Sequence, residues 1–277
     1  MYQSDLLVPP TDFLVNQQAQ TWITIGQFVP LTALLAVALR LALKRYDLIP
    51  LLCMGGSAAA MFVEPNIDVL AGCWLGDPAH GQTTMFTTFG HPFPLWGVAY
   101  IWYYGGQAFV VYLSLGRSSR GSQRATLWKL FGIALICDAI IELPGLLLGV
   151  YTYYGPQPLV VLGLPLHWEP INAAIPIAAG TVVYVLRHRL SGLKVLLTLP
   201  IVAVVHAGVM MSTLVPVTTT MAWGTRPPAS WVITIAALAS ASLAMLCAWL
   251  ATQLVDKPTT RESTPPIEHA EADTVAR

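Results

Sequence analysis

The sequence predicts an all-α fold: an integral-membrane bundle of seven transmembrane helices, N-terminus outside and C-terminus cytoplasmic. Three observations lead there. First, of 277 residues 55% are hydrophobic and only 10% charged, with a mean hydropathy of +0.62; a soluble domain carries about 25% charged residues. Second, seven apolar segments approach the roughly 20 residues needed to cross a bilayer. Third, the cations fall almost entirely on one side of the alternating loops.

The segments run 22–43, 49–74, 94–115, 127–150, 171–187, 193–215 and 231–254. The fifth is the shortest. Arg40, Lys44 and Arg45 end the first segment. Arg117, Arg120, Arg124 and Lys129 join the third to the fourth, and Arg187, Arg189 and Lys194 join the fifth to the sixth. Lys257, Arg261 and Arg277 follow the seventh, so of the 14 Lys and Arg only Arg226 lies on the opposite side. Positive charge accumulates on cytoplasmic loops, which orients the chain and requires an odd number of crossings. Trp22, Trp74, Trp96, Trp168, Trp223 and Trp231 fall at the outer ends, as an interfacial belt would. The expected location is the cytoplasmic (plasma) membrane, multi-pass.

The chain reads as one domain. Residues 1–20 form a polar outer lead, 21–255 the transmembrane domain, and 256–277 a polar, Pro-containing cytoplasmic tail expected to be disordered. The N-terminus lacks the basic region, apolar core and small-residue cleavage site of a secretory signal. Cys53, Cys73, Cys137 and Cys247 have no paired or metal-type spacing and read as packing residues. A net charge of zero gives no sign of nucleic-acid binding. Two outer loops are long, 75–93 and 151–170. The second is rich in Pro, Gly and aromatics, including Tyr151 and Tyr154, so it breaks from helix and could cap a cavity or simply connect.

Five acids lie in or beside the apolar segments: Glu64, Asp68, Asp138, Glu142 and Glu169. The assigned orientation puts all five in the outer half. Residues i and i+4 share a helix face. Ser57, Ala60, Glu64, Asp68 and Ala71 make one stripe, and Asp138, Glu142, Gly145 and Gly149 another. Small residues allow close packing, and intramembrane acids normally face a bundle interior or a wet cavity. Pro65 and Pro144 follow two of the acids and are expected to kink the helices there. No Lys or Arg stands beside either pair. A carboxylate out of water is costly and usually neutralises, so each pair is expected to keep at least one proton. The plainer reading is a set of acids hydrogen-bonded for packing.

Other polar candidates are less specific. His91 and His167 stand at outer loop edges and read as acid/base groups or as interfacial histidines. Asn172 follows Glu169 by one turn and could orient a substrate or cap a helix. His206 is alone in the sixth segment and reads as a satisfied core histidine. In "YIWYYGGQ" (100–107), Trp102, Tyr103 and Tyr104 are packing residues or π faces for a passing cation.

These features weigh against several functions. The seventh segment has no Lys for a retinal Schiff base. A membrane di-iron enzyme needs many His, and the chain has six. A Mg²⁺–diphosphate enzyme wants Lys or Arg beside its acids, and the outer side offers only Arg226. A proton-coupled transporter stays open, since intramembrane acids mark proton relays, but no inverted repeat is evident. A lipophile-binding protein with an acidic pocket also stays open. The class that fits best is acid-catalysed cyclisation or rearrangement of a lipophilic substrate, needing no metal or cofactor. A protonated carboxyl activates a carbonyl or hydroxyl, a second carboxylate stabilises positive charge or takes the proton back, and aromatic walls exclude water. Its partners are then the bilayer and a lipophilic small molecule; oligomeric state is not specified by the sequence.

The stretches "FVEPNIDVLAGCW", "FGHPFPLWGVAYIWYYGG", "CDAIIELPG", "YTYYGPQPL" and "HWEPIN" together resemble the AveC-like spirocyclase family of actinobacterial polyketide pathways. The resemblance spans about residues 60–175. It implies a spiroketal-forming or dehydrating membrane enzyme acting through an oxocarbenium-like species. Integral-membrane terpenoid cyclases, with acids in a seven-helix bundle, follow similar logic and are the alternative. Under this reading Asp138 and Glu142 are the acid pair, Glu64 and Asp68 the charge-stabilising or base pair, and Glu169 an acid at the pocket mouth. Trp102, Tyr103, Tyr104, His91, His167, Asn172, Tyr151 and Tyr154 are the candidate substrate-contacting residues.

Overall fold

The computed structural model describes residues 8–222 and 228–255. The expected tail (256–277), Trp223 and Arg226 lie outside the described residues. The chain is mostly helical: α1 (Gln17–Arg45), α2 (Ile49–Ala60), α3 (Glu64–Leu70), α4 (Gln107–Arg117), α5 (Gln123–Leu147), α6 (Trp168–Leu186), α7 (Thr198–Ala222) and α8 (Ser230–Val255). Among the described residues five stretches are long and apolar enough to cross a membrane: Gln17–Arg45, Gln123–Leu147, Trp168–Arg189, Gly192–Ala222 and Ser230–Val255.

The other two apolar segments are helical but interrupted, and each interruption has a cause. The run 49–74 is split between α2 and α3 by turns at Met61–Val63. Pro65 has no N–H to give to the Met61 carbonyl; the Glu64 N–H takes that carbonyl instead, at 3.3 Å. The run 94–115 opens with a 3₁₀ turn (Leu95–Val98), passes through a π-helical turn (Ile101–Gly106) and ends as α4. A single π turn inside a helix often marks a functional site. Here it packs backbone against backbone on α2. A Cβ at Gly105 would stand 2.7 Å from the Cys53 carbonyl and 2.8 Å from Met54 Cα. The Ser57 hydroxyl closes the contact by donating to the Tyr100 carbonyl at 2.9 Å.

The shortest expected segment is the central one. Helix α6 packs against α4, α5, α7 and α8, and Ile171 through Ile177 is a continuous buried run. Gly180 lets α6 approach α4, where any Cβ would overlap the Ala108 carbonyl and Val111. Burial along α5 recurs at Leu127, Phe131, Ala134, Asp138 and Gly145, one stripe of the helix. In α2 and α3 the stripe Ser57, Ala60, Glu64, Asp68 and Ala71 is buried throughout, as its spacing predicts. Pro144 is accommodated inside α5 without ending it.

The two long loops gather at the end of the bundle where α3 and α5 finish. They are not purely irregular, which modifies the all-α expectation. Three two-stranded antiparallel ladders form there: β1 (Cys73–Trp74) with β4 (Thr152–Tyr153), β2 (Thr84–Thr88) with β3 (His91–Pro94), and β5 (Val160–Val161) with β6 (Leu164–Pro165). Half-buried loop backbone must find hydrogen-bond partners, and the β1/β4 pairing ties one loop to the other. The Tyr154 N–H adds a bond to Gly72 O at 2.7 Å. The Gln157 amide reaches Ala71 O at 3.0 Å, and the Tyr154 hydroxyl reaches Val69 O at 2.7 Å. The 151–166 loop is thereby fastened over the end of α3.

Candidate active site

Beneath that loop, α3, the π turn, α5 and α6 enclose a cavity. Asp68 reaches it from α3, Asp138 and Glu142 from α5, and Asn172 from α6; Tyr100, Tyr103 and Tyr104 come from the segment of the π turn, and Tyr151 and Tyr153 from the capping loop. The gaps between lining side chains, mouth included, total about 620 Å³. Only about 20 Å³ of this admits the centre of a water molecule, so as it stands the cavity holds about one or two waters. A larger guest requires part of the wall to move.

Three of the five expected acids therefore converge, each in a different setting. Glu142 is held by the cap: the Tyr151 and Tyr153 hydroxyls both donate to its Oε2, at 2.7 and 3.0 Å. Tyr151 is itself fixed by stacking on Trp96, ring centroids 5.3 Å apart, and by Gly145, where a Cβ would overlap its ring. Burial, reinforced by the Glu142 carboxylate, pushes both phenols well above their ordinary range, so they remain donors. Asp138 is fixed by a chain from α6: Asn172 Nδ2 donates to its Oδ2 at 2.9 Å, and the Tyr104 hydroxyl donates to Asn172 Oδ1 at 2.9 Å. Asp68 is 3% exposed, and among the described residues its Oδ2 has no hydrogen-bond partner. A buried, unpaired carboxyl oxygen is costly unless something else is meant to meet it.

Glu64 departs from the expectation that the acids lack a basic partner. It turns away from the cavity to His206 of α7, with Nε2 and Oε1 2.5 Å apart and both residues fully buried. The contact is not aligned as a directional hydrogen bond, and among the described residues Glu64 Oε2 and His206 Nδ1 have no other partner. His206 is thus more than a core histidine. Its ring also lies against Tyr104, centroids 4.3 Å apart. Glu169 is half-buried at the start of α6 and does not line the cavity.

The remaining candidates divide as follows. Tyr103, Tyr104, Asn172 and Tyr151 line the cavity. Tyr103 donates to the Ala134 carbonyl of α5 at 3.2 Å. Trp102 stands one layer back and donates to Gln27 Oε1 at 3.0 Å, and Gln27 is itself in the wall. Tyr154 straps the cap and does not face the cavity. His91 shares a separate small cleft with Asp68. His167 is buried beside Trp168 with neither ring nitrogen partnered, and burial lowers it to about 4.

Sequence reasoning missed His206, Tyr153, Tyr100, Trp96 and Gln27. Two signals were available. His206 and Glu64 lie 13 and 15 residues from the same end of their segments, about 20 and 22 Å along an α-helix, so their depths match. In an extended stretch alternate residues share a face, which pairs Tyr151 with Tyr153 and not with Tyr154.

Among the described residues, no group of three or more His, Cys, Asp or Glu is placed to hold a metal ion. In comparisons with known proteins, no family model, no curated protein and no solved structure matches this chain.

Proposed function

We propose that this chain is a multi-pass enzyme of the cytoplasmic membrane that cyclises or dehydrates a lipophilic, polyketide- or isoprenoid-like substrate by acid/base chemistry. The observation that carries the reading is the convergence of Asp68, Asp138 and Glu142 on one aromatic-walled cavity. All five sequence stretches that resemble the AveC-like spirocyclases contribute side chains to that wall, Trp168 among them, which supports spiroketal-type chemistry as the first choice. The interrupted segments 49–74 and 94–115 complete seven crossings, with the N-terminus outside and the cation-bearing loops and C-terminus in the cytoplasm.

The settings of the acids suggest a division of labour that differs from the pairing by sequence position. Asp68, with an unpartnered oxygen, gives its proton to a substrate hydroxyl. The C–O bond breaks, water leaves, and an oxocarbenium-like cation remains. Glu142, whose Oε2 already accepts from two tyrosines, acts as the carboxylate that stabilises this charge, together with the π faces of Tyr100, Trp96 and Trp168. A second substrate hydroxyl, oriented by Asp138, attacks the cationic carbon and forms the new C–O bond. Its proton returns to Asp68. The net change is loss of one water. Glu64 and Glu169 take no direct part.

The test uses membranes containing the protein, incubated with a lipophilic extract from host cells that lack it. Wild type should yield a species lighter than its precursor by one water. Asp68→Asn and Glu142→Gln should each slow its appearance by about 100-fold or more, the usual scale for a positioned acid or base. Undiminished conversion in both variants would remove the acids from the mechanism. A proton-coupled transporter is the second reading, favoured by the fully buried Glu64–His206 pair; proton flux into liposomes without chemical conversion would select it.

A further inference from the structure

The Glu64–His206 pair lies outside the cavity, and the acid/base scheme does not use it. Yet His206 touches the supports of two cavity acids. On one side it meets Glu64, the first residue of α3. That helix has seven residues, is cut from α2 by the Met61–Val63 turns, and has no side-chain cap at its start. Asp68 sits one turn further along it, on the same face. On the other side the His206 ring packs on Tyr104, whose hydroxyl holds Asn172, which in turn holds Asp138.

We infer that His206 is a positioning residue for both arms of the cavity: it pins the short α3, and with it Asp68, through Glu64, and it backs the Tyr104–Asn172–Asp138 chain through its ring. Glu64 Oε1 and His206 Nε2 stand 2.5 Å apart with both residues fully buried, so each is the polar group that the other meets. Removing one partner leaves the other polar and alone in an apolar bundle. The two arms separate by substitution. His206→Phe keeps an aromatic ring against Tyr104 and loses the partner of Glu64. His206→Gln keeps a donor for Glu64 and loses the ring. Reversing the pair, Glu64→His with His206→Glu, restores the contact between α3 and α7 but moves the ring.

The inference rests on Asp68 and Asp138 being the cavity acids, but its test reads the carboxyls themselves and not turnover. Full-length protein carrying ¹³C-carboxyl aspartate is reconstituted in lipid, and the aspartate carboxyl bands are recorded by infrared spectroscopy. Loss of a band in Asp68→Asn and in Asp138→Asn assigns the two residues. The expected result is a shift of the Asp68 band alone in His206→Phe and of the Asp138 band alone in His206→Gln. The reversed pair should return the Asp68 band towards its wild-type position. Each variant is compared with wild type at equal helical content and melting temperature. Both assigned bands unmoved in His206→Phe and His206→Gln would overturn the inference, whatever the protein's activity. Equal shifts of both bands in every variant would overturn it too, since that is what general loosening produces. Should His206→Phe fail to fold, the reversed pair and His206→Gln decide between the same outcomes.

Discussion

At the scale of single residues, the site depends on a few hydrogen bonds placed where water is scarce. The Glu142 carboxylate is the clearest case. Its Oε2 accepts from Tyr151 and Tyr153, and an intramolecular hydrogen bond typically contributes about 0.5–1.5 kcal/mol. Tyr151→Phe and Tyr153→Phe should therefore each weaken the docking of the cap, and the double variant should release Glu142 from it. Melting temperatures of the two singles and the double would show this as a lowered Tm in each and a non-additive double. Gly145 offers an independent check. A methyl at 145 meets the Tyr151 ring, so Gly145→Ala should destabilise by about 1–3 kcal/mol, the usual cost of overpacking. A Gly145→Ala protein with unchanged Tm would mean that Tyr151 is not held as described.

At the scale of elements, the interruptions are the structural devices that build the cavity. The π turn brings Tyr103 and Tyr104 inward while Gly105 rests on the α2 backbone. With backbone atoms as the obstruction, no side-chain adjustment relieves a larger residue. Gly105→Val should lower Tm more than Gly132→Val, since a Cβ at 132 would have nothing within 4 Å of it. The cap carries its own titration. His167 is buried and lowered to about 4, against roughly 6.5 in an opened, hydrated loop. The opened state then binds the proton more readily. Cap stability is fully present above about pH 6.5 and declines as pH falls from there to about 4. The total is on the order of 3 kcal/mol. Unfolding monitored from neutral pH down through this window should show the decline in wild type and a flatter profile in His167→Gln.

How much of this was legible beforehand follows from the same elements. The acid stripes of α3 and α5 were readable because a 3.6-residue period fixes which side chains share a face, and burial follows that period from Ser57 to Ala71. The break before Glu64 was signalled by Pro65, whereas Pro144 gives the same signal and α5 continues through it. The π turn was not readable, since "YIWYYGG" has no residue that forbids a regular helix; its register is set by contact with α2. The partner of Glu64 was obscured because pairing between distant helices is a tertiary fact, and only matching depth pointed to His206. Tyr153 is not singled out by composition, because its facing follows from the short β1/β4 ladder, which imposes an alternation that irregular chain lacks.

For the whole molecule, the proposal requires seven crossings, although among the described residues five helices are long and apolar enough by themselves. Two exposed positions test the difference. Ala79 and Ser119 flank the interrupted segment that contains the π turn. A cysteine placed at 79 should react with an impermeant maleimide in intact cells, and one placed at 119 only after the cells are permeabilised. Labelling of both from one face would show that the segment does not cross. The cavity's size sets a second requirement: room for only a water or two means that the wall must open before a lipophilic substrate can enter and close again to exclude water during the reaction.

The central claim is that the three converging carboxylates perform chemistry on a lipophilic molecule. The most direct measurement is the mass spectrum of lipophilic extracts from cells producing wild type and from cells producing Asp68→Asn/Glu142→Gln at equal membrane levels. A species lighter than its precursor by one water is expected in the wild-type extract only, with the precursor accumulating in the variant. Identical extracts from the two would contradict it.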